Sequence, residues 1–435
     1  MIPTLVICGA TGVGVFLSVL IKPEVSVGRV KLGTYWLISA VGALVLLCMG
    51  AVPLSYVGRE LTAASSVNPV KILLLFFSMT LLSVYLDEVG FFRYLASAAL
   101  RHAEGRQITL FLVLYLTVSV LTVFTSNDIV ILTFTPFICF FAKNARIDPL
   151  PYLIAEFVAA NTWSLLFIIG NPTNIYLASS AGIGFLPYLS VMALPTCMAG
   201  VTSLAVLLLL FRRSLRAPIC GDAPKTERID DPQALTLGVL HLIGATLLLA
   251  VSSYLQIEMT WVAVGFALSL SVLTLLLFLH RRARPVLLGK PLRRLPFELI
   301  PFVLSMFVLV LGMRYTGVTE RLAALLVTDR PILSIGVSSF LAANLINNIP
   351  MSVLFSSIME TVGDPALYRE GIFAAVVGSN IGAYLTPVGA LAGIMWSSIL
   401  RRFGVRFSFR KFLLYGAAVS VPTLAAALAG LWLVL

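Results

Sequence analysis

Apolar runs long enough, or nearly long enough, to cross a bilayer recur along the whole chain. They fall at about 3–21, 34–52, 70–86, 107–125, 128–142, 152–178, 187–211, 235–254, 259–280, 297–313, 332–346, 348–359, 371–397 and 412–435. A crossing helix needs about 20 predominantly apolar residues, so the pattern predicts an all-α polytopic membrane protein. The first run has no basic n-region and no small-residue cleavage site before a polar start, and reads as a span rather than a signal peptide. The stretch 90–102 is different. Phe91, Phe92, Leu95, Ala99 and Leu100 alternate there with Arg93 and Arg101, as in a helix lying in the membrane interface.

The runs repeat one order twice: three spans, a short amphipathic stretch, a pair of shorter runs, an interrupted run, and a final span. Residues align between the copies. Gly90 and Leu95 match Gly317 and Leu322; Asn127-Asp128-Ile129 matches Asn347-Asn348-Ile349; Asn161 matches Asn380, and Pro172 matches Pro387. The segment 213–233 is the most polar connection and lies near the midpoint. The expected organisation is therefore a first repeat over 1–212, a cytoplasmic linker over 213–233 and a second repeat over 234–435.

Composition narrows the class. Apolar residues make up 59% and charged residues 11%, against roughly 45–50% and 25% in soluble domains. So few charges cannot cover a soluble surface of this size, which excludes a soluble enzyme or a nucleic-acid-binding domain. The net charge of +11 follows from topology instead. With both termini outside, and with the pairs 107–142 and 332–359 each entering and returning on one side, 24 of the 30 basic residues fall in cytoplasmic segments. That is a strong positive-inside bias. It also places the two halves in opposite orientations. Inverted repeats with interrupted hydrophobic segments at matching positions point to a secondary transporter with its site near the midplane. The five cysteines form no CxxC pair and read as small core hydrophobes. The three histidines are too far apart in sequence to indicate a metal site, and no cofactor is expected.

Four polar clusters interrupt the apolar sequence. They are Thr125-Ser126-Asn127-Asp128; Asn161-Thr162 through Gly170-Asn171-Pro172-Thr173-Asn174; Asn344 with Asn347-Asn348-Ile349-Pro350; and Gly378-Ser379-Asn380-Ile381-Gly382 through Thr386-Pro387-Val388-Gly389. Polar backbone at membrane depth is tolerated only inside protein or along a wet cavity. Gly and Pro in the second and fourth clusters break helices, freeing carbonyls for a cation and N–H groups for an anion or polar substrate. The first and third clusters sit between short paired runs and read as tips of re-entrant hairpins. The run 348–359 is too short for an ordinary span, whereas 107–125 is long enough to be one.

Asp128 stands out, because a carboxylate at the centre of a spanning helix costs roughly 2.5–3.5 kcal/mol on insertion scales. It reads either as a coupling-ion or proton carrier or as a helix N-cap; its match, Asn348, does not titrate. Glu156, four residues into its run, reads as an interfacial residue near the cytoplasmic end. Asp87 and Glu88 read as structural. The asparagines read as a site, with interhelical hydrogen-bond glue as the alternative. The expected binding residues are Ser126, Asn127, Asp128, Asn161, Thr162, Gly170, Asn171, Thr173, Asn174, Asn347, Asn348, Ser379, Asn380 and Thr386, with sodium admissible at Asn127 and Asn347.

At Asn127-Asp128 with Thr135-Pro136, at Asn347 through Met351, and at Gly378 through Gly389, the sequence resembles the arsenite/antimonite permease family. That family belongs to the ion transporter superfamily, with sodium/proton antiporters and di- and tricarboxylate transporters. The resemblance covers nearly the whole chain. It implies two inverted repeats, each supplying a re-entrant hairpin and a discontinuous helix to a transport domain that moves against a scaffold in a multi-pass bacterial inner-membrane protein. It implies that Ser126, Asn127, Gly170 and Asn171 line one half of the site, and Asn347, Asn348, Asn380 and Thr386 the other. Two departures matter. Arsenite permeases usually carry Asp where this chain has Asn380, and the carboxylate transporters carry Ser-Asn-Thr at both tips, which this chain lacks.

The leading expectation is elevator-like, proton-coupled export of a small inorganic oxyanion or its neutral hydroxide, such as arsenite. The alternative is a sodium-coupled di- or tricarboxylate transporter or sodium/proton antiporter. An intramembrane enzyme is disfavoured because no GxSxG or HExxH motif occurs and no cluster holds a histidine; a channel is the remaining competitor. Expected partners are the bilayer, the transported small molecule or ion, and H+ or Na+ as coupling ion, with no nucleic acid. A homodimer and an accessory ATPase are left open by the sequence.

Overall fold

The computed structural model describes residues 1–22, 24–27, 30–63, 68–101, 106–219, 229–252, 254–282, 286–405 and 407–435. Every apolar run becomes helix. The first half contains α1 (Ile2–Ile21), α2 (Thr34–Cys48), α3 (Leu54–Thr62), α4 (Pro69–Glu88), α5 (Phe91–Arg101), α6 (Gln107–Phe124), α7 (Asn127–Ala145), α8 (Leu150–Trp163), α9 (Pro172–Ser180) and α10 (Phe185–Phe211). The second half contains α11 (Pro232–Val251), α12 (Met259–His280), α13 (Val286–Arg294), α14 (Leu299–Tyr315), α15 (Val318–Leu326), α16 (Pro331–Ile346), α17 (Asn348–Met359), α18 (Pro365–Gly382), α19 (Leu391–Arg402) and α20 (Phe409–Val434). Among the described residues, eight helices are long and apolar enough to cross a membrane, or nine when the bent pair α14–α15 counts as one span. Leu240, Leu247, Leu268 and Leu276 on α11 and α12 stay exposed, as lipid-facing positions should, since hydrocarbon gives no reason to bury them.

Three elements fall where the sequence reads as connection. An antiparallel hairpin of β1 (Glu24–Val27) and β2 (Val30–Gly33) joins α1 to α2, and α3 and α13 are short helices. None carries an apolar run, so hydropathy does not announce them. Within the expected linker, residues 220–228 lie outside the described residues; Asp231 ends it by capping α11, its side chain accepting from the Ala234 amide at 3.0 Å. Two cysteines depart from the core expectation: Cys48 and Cys197 are exposed, while Cys139 is buried. Cys220 lies outside the described residues.

The packing is reciprocal between the halves. Helix α4 packs on α11 and α12, while α14 packs on α1 and α2. Helix α6 packs on α8 as α16 does on α18, and α10 packs on α20. Each short helix that follows an interruption crosses over: α9 packs on α17, and α19 packs on α7. The matched glycines behave alike. Gly90 and Gly317 hold φ of 89° and 74°, turning the chain into α5 and α15; the α14–α15 bend is 84°. A side chain resists that backbone region and glycine does not.

Ion pairs lie where spans end. Arg294 on α13 meets Asp87 at 2.7 Å and Glu88 at 2.8 Å, which gives those two acids the structural role expected of them. Glu298 accepts from the Gly33 amide and from the Tyr35 hydroxyl, both at 3.0 Å, tying the start of α14 to the β hairpin.

Candidate functional site

The site is built from two helix-to-helix tips and two helix interruptions. The α6–α7 tip is Thr125-Ser126, and the α16–α17 tip is the single residue Asn347, whose φ of 73° makes the sharper turn. Each interruption is eight residues long, 164–171 between α8 and α9, and 383–390 between α18 and α19. Asn161 and Asn380 both stand two residues before their helix ends, as the sequence match implies.

Two other matches shift. Counted from the helix starts, Asn127 aligns with Asn348, and Asp128 with Ile349 rather than Asn348. Pro172 opens α9, where a missing N–H costs nothing, and aligns with Leu391; Pro387 sits inside the second interruption. The start of α9 is therefore more polar than the start of α19. Asn171, Thr173 and Asn174 stand opposite Ala390, Ala392 and Gly393.

All fourteen expected site residues are buried, and they divide into two groups. In the first group the amides satisfy one another. Asn380 Nδ2 donates to Asn174 Oδ1 at 2.6 Å and to the Val376 carbonyl at 2.9 Å. Its Oδ1 accepts from Asn171 Nδ2 at 3.0 Å and from Ser164 Oγ at 2.9 Å. Asn174 Nδ2 donates to the carbonyls of Ser164 and Phe167 at 2.7 and 3.2 Å. Those two carbonyls fix the amide orientation of Asn174, and thereby that of Asn380. Asn161 accepts from Asn127 Nδ2 at 3.0 Å and donates to the Phe157 carbonyl at 2.8 Å. Thr162 donates to the Tyr384 hydroxyl at 3.3 Å, a second link between the two interruptions. Gly170 belongs to this scaffold, since a Cβ there would collide with the Ser164 backbone. These amides hold the two interruptions together, as interhelical hydrogen bonds do.

The second tip is tied to its own interruption. Asn347 Nδ2 donates to the Val388 carbonyl at 3.0 Å, its Oδ1 accepts from the Ile349 amide at 3.3 Å, and the Asn348 amide N–H donates to the Gly389 carbonyl at 3.0 Å. Thr386 donates to Asn344 Oδ1 at 2.7 Å, and Asn344 Nδ2 reaches the Gly382 carbonyl at 3.0 Å.

The second group keeps polar valences open. Thr173 Oγ1 and Ser379 Oγ are buried with no hydrogen-bond partner. Asn127 Oδ1 has only a 3.5 Å contact from Ser126 Oγ. Among the described residues, no hydrogen bond or ion pair reaches the Asp128 carboxylate or the Asn348 side-chain amide. Asp128 is not the cap of α7: Ser126 holds that position, and Asp128 lies in the first turn. Buried polar groups are normally bonded; here positions stay open on Asn127 and Asp128 at the first tip, on Asn348 at the second, on Thr173 at the start of α9 and on Ser379 in α18.

Two participants were not legible. Ser164 and Tyr384 both join the inter-half network; each falls within the span of a polar cluster, yet neither is among the expected binding residues. Glu156 corrects the expectation of an interfacial residue. It is 2% exposed and faces α7, where Thr135 Oγ1 lies 2.9 and 3.1 Å from its two carboxylate oxygens. Its position near the start of an apolar run hides this, because helix α8 is buried along its whole length rather than emerging at that end.

The comparisons fit this architecture. The family model described as "Citrate transporter" matches residues 32–370. The arsenical pump membrane protein of Escherichia coli K12 is 28% identical over 371 residues, covering 82% of this chain and 84% of that protein. Its counterpart from Yersinia enterocolitica is 29% identical over 373 residues, with the same coverage. A 46 kDa membrane protein of Mycobacterium leprae is 26% identical, covering 83% of this chain and 86% of that one. In fold, the chain is similar to the crystal structure of the Alcanivorax borkumensis YdaH transporter, with a TM-score of 0.50 at 14% identity over 99% of this chain and 98% of that one. A helical chain with at least eight apolar helices of spanning length and interrupted helices at its centre is a multi-pass secondary transporter, and this one belongs to the citrate transporter family.

Proposed function

We propose that the protein exports a small inorganic oxyanion or its neutral hydroxide, arsenite in the first instance, in exchange for protons carried by Asp128. The observation that carries this is the chemistry of the open valences. Thr173, Ser379, Asn127 and Asn348 offer hydroxyls and amides, and none of the four polar clusters holds a lysine or arginine. A neutral trihydroxide both donates and accepts hydrogen bonds and needs no cation. Asp128 is the one acid in those clusters, and a buried carboxylate without a bonded partner favours its protonated form. The similarity to arsenical pump membrane proteins supports the same substrate class.

On this reading residues 1–212 and 234–435 are inverted repeats with both termini outside, and α6–α10 with α16–α20 move as an elevator against α1, α2, α4, α11, α12 and α14. The reciprocal packing supports that division, since each half's third span lies against the other half's first two.

The test is resistance and arsenic content in cells stripped of arsenite efflux. Wild-type protein is expected to lower cellular arsenic, and Asp128→Asn at equal membrane abundance to abolish the effect. No change in arsenic with the wild-type protein overturns the substrate. Full pH-dependent export by Asp128→Asn overturns its role as carrier. The second reading, sodium-coupled carboxylate transport, is favoured by the citrate transporter family match. An absolute sodium requirement for uptake of a di- or tricarboxylate into proteoliposomes establishes it, and transport indifferent to sodium removes it.

A further inference from the structure

Among the described residues Glu156 is, with Asp128, a buried acid without an ion-pair partner, whereas buried Asp87 pairs with Arg294; the mechanism above does not use Glu156. It sits where α8 meets α7 and α19. Its two carboxylate oxygens share one hydroxyl, that of Thr135. Trp396 on α19 closes the other side, tilted against Phe157 and edge-on to Phe407 and Phe412 with ring centroids 5.0–5.7 Å apart. Of the titratable groups on the elements packed around α8, which include Tyr115 on α6, Asp128 and Cys139 on α7, Tyr188 on α10 and Arg401 and Arg402 on α19, only Cys139 interacts with it. Among the described residues, no lysine or arginine pairs with it.

A carboxylate so placed has lost its water and gained only neutral donors, the Thr135 hydroxyl and the neighbouring Trp396 indole. An ionised carboxylate in that position is expensive, and such groups persist either paired with a cation or neutral. Glu156 is not paired, so the site is built for the neutral acid.

Packing alone does not call for an acid here. Thr135 is the ninth residue of α7, and Ser356 the ninth of α17; Glu156 stands seven before the end of α8, and Ala375 seven before the end of α18. The second half packs the equivalent junction with Ala375, fully buried, and leaves the Ser356 hydroxyl unbonded. The acid is an addition to the first half. A polar line also leads toward it. Gln107 Nε2 donates to the Pro218 carbonyl at 3.4 Å, Gln107 Oε1 accepts from the Tyr152 hydroxyl at 3.0 Å, and Tyr152 precedes Glu156 by one turn of α8.

We propose that Glu156 is a second proton-binding site of the transport cycle, neutral in the conformation seen here and ionised when the α7–α8–α19 junction opens. This rests on proton coupling as proposed above, and the experiment separates the two. Infrared difference spectra of purified protein over a pH series report protonated carboxyls without any substrate. A carboxyl C=O band is expected that disappears in Glu156→Gln, shifts in Thr135→Val, which removes the hydrogen bond, and is restored in Thr135→Ser.

In proteoliposomes, the rate of Glu156→Gln is expected to depend on pH with one proton's steepness where the wild type shows two. A structural role alone leaves that steepness unchanged, because Gln preserves shape and keeps an oxygen to accept from Thr135. An infrared spectrum indifferent to Glu156→Gln, or an unchanged pH profile in a folded variant, overturns the proposal. Wild-type transport with no pH dependence overturns proton coupling itself, while the infrared band still reports on Glu156.

Discussion

Replacing Asn380 tests how the two interruptions are held together. The side chain is fully buried and uses all four of its hydrogen-bonding positions, three of them on residues of the first half: Asn174, Asn171 and Ser164. Asn380→Ala removes those three bonds. At the membrane-protein average of roughly 0.6 kcal/mol each, the loss is about 2 kcal/mol. Orphaned groups raise it. Ser164 Oγ retains the Asn161 carbonyl at 2.9 Å, but Asn171 Nδ2 and Asn174 Oδ1 are left with no partner. At about 1–3 kcal/mol for each buried orphan, the cost reaches roughly 2–6 kcal/mol.

Asn380→Asp is the sharper variant, because arsenite permeases usually carry Asp at this position. Asp fits the volume but points acceptors at Asn174 Oδ1 and the Val376 carbonyl. Asn174 cannot turn over to help, since its Nδ2 is held by two carbonyls. The variant regains one donor when protonated, so its deficit should shrink at low pH. Thermal unfolding followed by tryptophan fluorescence in detergent measures both. Midpoints for Asn380→Ala and Asn380→Asp within about 1 °C of wild type at neutral pH would refute the network's role, since a loss of several kcal/mol shifts a midpoint by more than that.

Two further outcomes are expected. Gly378→Ala should destabilise the protein by about 1–3 kcal/mol through overpacking, because the new Cβ would lie 2.6 Å from the Gly336 carbonyl and 2.7 Å from the Phe340 amide of α16; Gly363→Ala, with open space around it, is the control, and equal melting of the two variants counts against close α16–α18 packing. At the end of the linker, Arg281 donates to Asp231 at 2.6 and 3.2 Å and holds that carboxyl below its usual range. The stabilisation this gives is present above the unfolded carboxyl pKa of about 3.9 and is lost as pH falls through the lower folded value, so the melting difference between wild type and Arg281→Ala should close on acidification and persist at pH 7.

Hydropathy made most of this fold legible, because in a bilayer the backbone must close its hydrogen bonds within each segment and each crossing announces itself by length. The two interruptions were legible for the complementary reason: Gly170, Pro172, Gly382 and Pro387 mark where helix cannot continue. What escaped was register and partner. Pro172 and Pro387 look equivalent as letters, yet one starts a helix and the other lies in mid-loop, and only the eight-residue length of both interruptions reveals the true alignment. The asparagines read as one site because a sequence shows which side chains are polar and not which of them are already bonded. Asn171, Asn174 and Asn380 spend their capacity on one another and on nearby backbone and Ser164, and Asn161 on Asn127 and the Phe157 carbonyl, while Asp128, Asn348, Thr173 and Ser379 do not. Glu156 was misplaced because its position was judged by distance from the end of a run, whereas its burial is decided by α7 and α19, which come from elsewhere in the chain.

The departures from two-fold likeness carry more meaning than the likeness does. The residues that differ between the halves show where a titratable group enters one half alone. The two buried acids without a counterpart lie in the first half, as does the polar start of α9, while the second half has Ser379 opposite Ala160 and Thr386 opposite Phe167. Asp128 stands opposite Ile349, Glu156 opposite Ala375, and Asn171, Thr173 and Asn174 opposite Ala390, Ala392 and Gly393. The second half contributes Asn380, inserted into the first half's interruption, and a tip whose Asn347 is anchored to its own backbone at Val388. If the first half carries the coupling chemistry and the second half holds it in place, then acids moved across should not restore it. Asp128→Asn combined with Ile349→Asp places a carboxyl at the matching helix position, and pH-dependent export is expected to stay lost. Recovery of export in that double variant would mean that the halves are interchangeable in chemistry as well as in shape, and the division of labour drawn from their differences would fall.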